Sequence, residues 1–211
     1  MSSLNEKIIR ITPKTFDNAI ELAQSILTSN GVIVFPTDTS YGIGTLWNNE
    51  RGIRKILEIK KRPVEMGLPL LFGNLAAVLE FCELSDVEYA IAKRYWPGAL
   101  TLITQPRYSL PLIQGRHNTI AVRIPQNLFL LDLLNKLNAP LIGTSANLSG
   151  APSPHKISVS IEYFGELIDL YIDDGDTLHA LDSTIIHVAN DKISILRKGP
   201  VNVDIKNLSV K

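Results

Sequence analysis

Cysteine is almost absent: Cys82 is the only one in 211 residues. A single thiol rules out an intrachain disulfide and a cysteine-based zinc cluster. It lies in the apolar stretch 75–82, where a buried, inert thiol is expected rather than a nucleophile. Neither sign of charge is in excess, with 21 basic and 21 acidic side chains. No global field therefore draws the chain to nucleic acid or an anionic membrane, and any RNA contact has to come from a local patch. No apolar run approaches a membrane span. The N-terminal Met-Ser-Ser-Leu-Asn-Glu-Lys lacks the basic region and apolar core of a signal peptide. A soluble, cytosolic protein is expected. Repeats, low-complexity tracts and Gly/Ser linkers are missing too. What remains is a globular composition, 45% hydrophobic and 20% charged, that fits one domain over residues 1–211.

Common catalytic signatures are also missing. Gly42-Ile43-Gly44 is followed by Trp47 where a dinucleotide fingerprint needs its third glycine. No Walker-type phosphate loop occurs. The four histidines, His117, His155, His179 and His187, are too scattered for a histidine metal site.

What is present is an alternation of β-branched runs with amphipathic helices. Strands are expected at 8–11, 32–35, 70–72, 100–104, 119–124, 140–143, 170–172, 184–188 and 193–196, the last two as a hairpin. One helix carries Phe16, Ala19, Ile20, Ala23, Ile26 and Leu27 and stops at Asn30-Gly31. Another carries Ile53, Ile56 and Leu57 and ends near residues 60–63. A third buries Leu75, Val78, Leu79 and Cys82. Ser85-Asp86-Val87-Glu88 has the form of a capping box and starts a fourth, which stops at Pro97-Gly98. Further helices are expected around Leu130, Leu131, Leu134 and Leu137, and over 157–164. This order predicts a single α/β domain with an open, twisted mixed sheet. The longest stretch without periodicity is the loop 105–118, a length often tied to function.

Five polar segments stand at the edges of these elements. Pro36-Thr37-Asp38-Thr39-Ser40-Tyr41-Gly42 follows the strand 32–35, where an α/β sheet often binds ligand; it also reads as a turn whose side chains bond their own backbone. In Lys60-Lys61-Arg62-Pro63, basic residues suit a last helical turn. Pro63 also pushes Arg62 out of helical geometry, so Lys60 and Arg62 can converge on one anion if the helix ends before them. Both are expected to be exposed. Thr144-Ser145-Ala146-Asn147 places two polar side chains two apart, or forms a simple turn. Thr119 and Arg123 lie in a strand where Arg123, between Val122 and Ile124, reads equally well as solvent-facing. Ser183-Thr184 and Arg197 complete the set, with Arg197 also readable as a solvated strand end.

In this order, Pro-Thr-Asp-Thr-Ser-Tyr-Gly, Lys-x-Arg-Pro, Ala-Val-Arg-Ile-Pro, Ser-Ala-Asn-x-Ser-Gly, Asp-Ser-Thr-Ile and Leu-Arg-x-Gly resemble the YrdC-like threonylcarbamoyl-AMP synthase family over about residues 32–200. The resemblance implies an open, twisted α/β sheet with a positively charged concave cavity, in the short form without an extra C-terminal domain. It implies a nucleotidyltransferase that joins L-threonine, bicarbonate and ATP, with Mg²⁺, into threonylcarbamoyl-AMP and pyrophosphate. Partner proteins of tRNA modification then pass the group to an adenosine beside the anticodon. Carried over by motif, Thr39, Arg123, Ser145 and Ser183 contact threonine. Lys60, Arg62, Thr119, Asn147 and Arg197 contact ATP, with Lys60 and Arg62 catalytic through phosphate charge. The chain departs from the family at Gly73, where many members carry histidine, and at His155, where relatives often have threonine. Those departures favour a rival, a paralogue activating another carbamate or carboxylate. A second rival is a non-catalytic RNA-binding module using Arg51, Arg54, Lys55, Lys60, Lys61 and Arg62, although Glu50, Glu58 and Glu65 interleave with that run.

Overall fold

A computed structural model describes residues 2–177, 181–189 and 192–204. His179 and the hairpin residues Asn190 and Asp191 lie outside them. The expected elements form, and the α/β class holds, but the strands divide between two mixed sheets rather than one.

In the five-stranded sheet, β1 (Ile8–Arg10), β10 (Leu170–Asp173) and β2 (Ile33–Phe35) run parallel, and β3 (Gly42–Gly44) and β9 (Thr144–Ser145) follow antiparallel. The other sheet orders β12 (Lys192–Arg197), β11 (Thr184–Ala189), β6 (Leu100–Pro106), β7 (Ile120–Arg123), β4 (Leu70–Leu71) and β8 (Leu141–Ile142), with β5 (Cys82–Glu83) paired to β6. The chain crosses from one sheet to the other between β8 and β9, at Gly143. There a Cβ would run into the buried Leu71 side chain, which would have to shift, so glycine eases this close passage. The strand expected at 140–143 therefore continues past its predicted end, and its second half delivers Ser145 to the other sheet.

Burial of both faces explains why β2 is apolar throughout. Ile33 and Phe35 pack with Ala19, Ala23 and Leu27 of α2 (Phe16–Thr28) and with Phe129, Leu130 and Leu133 of α6 (Leu128–Leu137). Val34 faces the opposite way, toward Ile56 of α3 (Glu50–Lys60) and Phe164 of α7 (Ile157–Phe164). The larger sheet packs Leu100, Leu102 and Val122 against Val78 and Phe81 of α4 (Leu75–Phe81) and Ile91 of α5 (Asp86–Tyr95). Ser85 and Glu88 form the reciprocal capping box that opens α5, as expected.

Cys82 falls just outside its expected helix, in β5, because α4 ends at Phe81. It is fully buried, and burial pushes its thiol up to about 12. The pair Gly42 and Gly44, which fails as a dinucleotide fingerprint, has a packing role. A Cβ on Gly44 would strike the Ile142 carbonyl, and one on Gly42 would press on the Phe35 ring. Among the described residues, no helix is long and apolar enough to cross a membrane.

Candidate active site

The polar segments converge on one crevice between the two sheets. Its smaller part, about 170 Å³, is lined by Thr39, Arg62, Arg123, Ser145, Ser183 and Arg197, together with Asp182 and Thr101. Its larger part, about 840 Å³, is lined by Arg62, Thr119, His117, His187 and apolar residues that include Ile113 and Leu196. Arg62, Pro69, Ala121 and Ile185 stand in both walls, so the two parts adjoin. The larger volume lies in the range typical of small-molecule sites and the smaller lies below it. The loop 105–118 adds Ile113, Gly115 and His117 to the wall of the larger part.

Arg123 sits at the end of β7 and is not solvent-facing, contrary to one of its two sequence readings. It is 6% exposed, and each of its three guanidinium nitrogens donates one hydrogen bond to the chain around it. Nη2 donates to Asp38 Oδ1 at 2.6 Å, Nη1 to Thr39 Oγ1 at 3.0 Å and Nε to the Gly98 carbonyl at 2.9 Å. Burial pulls this guanidinium down from its ordinary range, and the Asp38 carboxylate opposes that shift. Asp38, itself 2% exposed, also accepts from the Gln126 amide at 3.0 Å. Sequence reasoning picked Thr39 from this segment and passed over Asp38. The available signal was an arginine in an apolar strand, which needs a buried anion.

Thr39 is fixed from both sides. Its Oγ1 lies 3.1 Å from Thr37 Oγ1, and its carbonyl accepts from Thr177 Oγ1 at 2.7 Å. His155 Nδ1 stands 3.1 Å from that carbonyl and 2.8 Å from Thr177 Oγ1. The departure at His155 thus braces the Thr39 loop from behind. Gly73 lines neither part of the crevice. It borders a separate cavity with Trp96 and Pro97, and a Cβ there would sit 2.5 Å from Asn135 Oδ1.

Ser183 precedes β11 and Arg197 ends β12. Arg197 Nε and Nη2 donate to the Ser183 carbonyl and Oγ, both at 3.0 Å, while Thr101 Oγ1 lies 2.8 Å from the same Oγ. The hairpin pairing of β11 with β12 aligns these residues, so Arg197 is more than a solvated strand end.

Lys60 overturns the expectation of exposure. It is 1% exposed and lines neither part of the crevice. The helix ends one residue later than the convergent geometry requires: Lys60 is the last helical residue and Lys61 turns left-handed at φ 53°. Arg62 N then reaches the Leu57 carbonyl at 2.9 Å and Lys61 N the Glu58 carbonyl at 3.0 Å, a Schellman closure. This sends Arg62 to the crevice and drives Lys60 beneath the turn 145–147. There Lys60 Nζ donates to the carbonyls of Ser145 and Asn147, the latter at 2.6 Å, and to Asn147 Oδ1 at 3.2 Å. Burial, and then the Arg62 charge, push this ammonium down to about 7. The three oxygens oppose that shift, because hydrogen bonds to the charged form favour it. Ser145 Oγ and Asn147 Oδ1 do face one another, at 2.6 Å, as their spacing predicted. Asn147, however, is turned back toward Lys60 and the Ala151 carbonyl. Of the nine predicted site residues, six line the smaller part, Thr119 lines the larger, and Lys60 and Asn147 stand behind the wall.

Chemically, the smaller part is a cationic cup with hydroxyls, suited to a small anionic or zwitterionic ligand. It opens past Arg62 into a roomier, largely apolar space. Among the described residues, no group of three or more histidine, cysteine or acidic side chains is arranged to hold a metal ion.

The Sua5/YciO/YrdC family model, described as telomere recombination, matches residues 25–199. Threonylcarbamoyl-AMP synthase of Bacillus subtilis is 33% identical over 191 residues, covering 89% of this chain and 55% of that protein. Its counterpart in Pseudoalteromonas translucida is 32% identical over 182 residues, covering 83% of this chain and 96% of the relative. The crystal structure of P. abyssi Sua5 complexed with L-threonine matches with a TM-score of 0.84 at 30% identity, over 91% of this chain and 56% of that one. The chain thus spans little more than half of the Bacillus and P. abyssi proteins. Sequence and fold agree over most of the chain, and the chain belongs to the Sua5/YciO/YrdC family.

Proposed function

We propose that this chain makes L-threonylcarbamoyl-AMP from L-threonine, bicarbonate and ATP, releasing pyrophosphate, as the activating step of tRNA adenosine modification. The observation that carries the reading is the adjoining two-part crevice with Arg62 in both walls. It is supported by the L-threonine complex of P. abyssi Sua5. In this reading threonine occupies the smaller part, its carboxylate toward the two Arg123 nitrogens that also bond Thr39 and Asp38. ATP lies in the larger part, its phosphates toward Arg62 and Arg197 and its base and ribose along the apolar wall near Thr119. Ser145 and Ser183 supply hydroxyls between the two. Downstream tRNA-modification proteins would take the intermediate.

The chemistry fits these residue types. The threonine ammonium gives a proton to solvent, and the free amine and bicarbonate condense to a carbamate with loss of water. The carbamate's anionic oxygen attacks the α-phosphorus, the bond to the bridging oxygen breaks, and pyrophosphate leaves with its electron pair. The nucleophile is already deprotonated, so no histidine base is called for at this step. Positioning and neutralisation of phosphate charge remain, and Arg62 and Arg197 suit that work. Mg²⁺ would enter on the triphosphate, keeping several of its waters, as this ion usually does. Direct RNA binding finds less support. Within the basic run, Arg54 approaches Glu50 at 3.9 Å and Lys55 approaches Asp169 at 3.4 Å, so carboxylates offset its charge.

The test is to supply ATP, bicarbonate, Mg²⁺ and one amino acid at a time, then measure pyrophosphate and identify the adenylate by mass. L-Threonine should give both products. Serine, lacking one methyl, should remain a poor but detectable substrate, because filling a small apolar pocket is worth only about 1–3 kcal/mol. Valine should be nearly inert, since it leaves a buried hydroxyl-binding group unpaired. Orthophosphate without adenylate would mean attack at the γ-phosphate and sink the reading. Equal rates with valine and threonine would favour a paralogue acting on another carbamate.

A further inference from the structure

The substrates in this reading are almost entirely anionic: a triphosphate, bicarbonate and a carboxylate. Yet the smaller part of the crevice carries a carboxylate of its own. Asp182 is the only acidic side chain among the described residues that line it. Three donors from three segments hold it in place. Ser40 Oγ donates to Oδ1 at 3.3 Å, and Ser153 Oγ and Arg197 Nη1 donate to Oδ2 at 2.9 and 3.4 Å. A carboxylate offers about four acceptor positions, so room for a donor remains. The side chain is 31% exposed, open to a ligand. Arg123 feels the charges of both Asp182 and Arg197, so all three act on one small volume.

An anion in such a place repels every substrate except one group. The α-ammonium of the amino acid is the only cationic organic centre they bring. We propose that Asp182 receives this ammonium and thereby makes the cup selective for a free amino acid; the inference rests on the threonine reading above. Arg123 and Asp182 then form a complementary pair of poles for a zwitterion. After carbamate formation the nitrogen keeps one hydrogen, which the same carboxylate can accept.

The experiment is calorimetric titration of wild type and Asp182→Asn, without nucleotide and with a chelator present. The ligands are L-threonine and 3-hydroxybutanoate, which is threonine without its amino group. Asparagine keeps the shape and most of the hydrogen bonding, so the fold is retained. Threonine affinity should fall about 10- to 100-fold in the variant, as for loss of a charge-assisted contact. Affinity for 3-hydroxybutanoate, weak from the start, should stay within about twofold, so that the double-mutant-style cycle isolates the ammonium. Equal weakening of both ligands would make Asp182 a brace for the surrounding loops and overturn the proposal. Unchanged threonine affinity would also overturn it. If wild type binds no threonine, the substrate reading itself fails, a result distinct from these.

Discussion

Replacing Arg123 by methionine is expected to lower the free energy of unfolding by about 3–5 kcal/mol and to abolish threonine binding. The guanidinium and the Asp38 carboxylate are both buried, at 6% and 2% exposure, and meet at 2.6 Å. Methionine fills a similar volume but leaves a buried carboxylate without its counter-charge. That carboxylate leans heavily on Arg123, because among the described residues Asp38 Oδ2 is buried with no hydrogen-bond partner. The check is chemical denaturation of Arg123→Met, Asp38→Leu and the double variant. The double variant should recover part of the loss, since removing both charges also removes the uncompensated one. Arg123→Lys should keep the charge but not the fork, and should bind threonine poorly. A loss under about 1 kcal/mol in Arg123→Met, the level of an exposed pair, would contradict the burial argument.

The second large effect is at Lys60. Lys60→Ala takes the ammonium away from the Asn147 carbonyl, and it removes one of two donors from the Ser145 carbonyl and from Asn147 Oδ1, which keep the Asn147 amide and Ser145 Oγ. A cost of about 2–4 kcal/mol is expected. Turnover should be lost with it, through disorder of the turn that carries Ser145. Hydrogen exchange at the Ser149 amide, which bonds the Lys60 carbonyl at 2.9 Å, should report the loosening. The effect also has a pH signature. Folded Lys60 releases its proton near pH 7, whereas the unfolded chain holds it to about 10.4. Between these values the unfolded state binds more protons, so wild-type stability from this group rises with pH and the gap to Lys60→Ala widens. A gap that stays flat over that window would show Lys60 charged throughout. Arg62→Ala behaves differently. Its contacts are to the Gly67 and Met66 carbonyls nearby, so stability should change by about 0.5 kcal/mol or less. ATP turnover should nevertheless fall about 10- to 1,000-fold.

Much of this was legible locally. The capping box at Ser85 and the apolar face of α2 are short-range signals, and both elements form as read. The convergence of Thr39, Arg123, Ser183 and Arg197 was implied only by the family resemblance that the ordered motifs carry. What escaped depends on distant partners. Lys60 at a helix end looks solvated until residues 85 and 87 positions away close over it. Arg123 alternates with apolar neighbours and becomes a core residue only because Asp38, 85 positions earlier, supplies its counter-charge. The strands β3 and β9 were invisible for another reason. Gly42-Ile43-Gly44 and Thr144-Ser145 carry no alternating apolar side chains. Their pairing is set by close backbone approach around Gly44 and Gly143 instead.

The burial of Cys82 has a practical consequence. The chain's one thiol has no access to solvent, and its high pKa leaves almost no thiolate at neutral pH. Maleimides and similar reagents should pass it by in the native protein. A cysteine introduced at Leu196, 60% exposed on the rim of the larger part of the crevice, would then be the sole reactive handle. A fluorophore attached there would follow nucleotide arrival in real time, with no need to remove a native cysteine first.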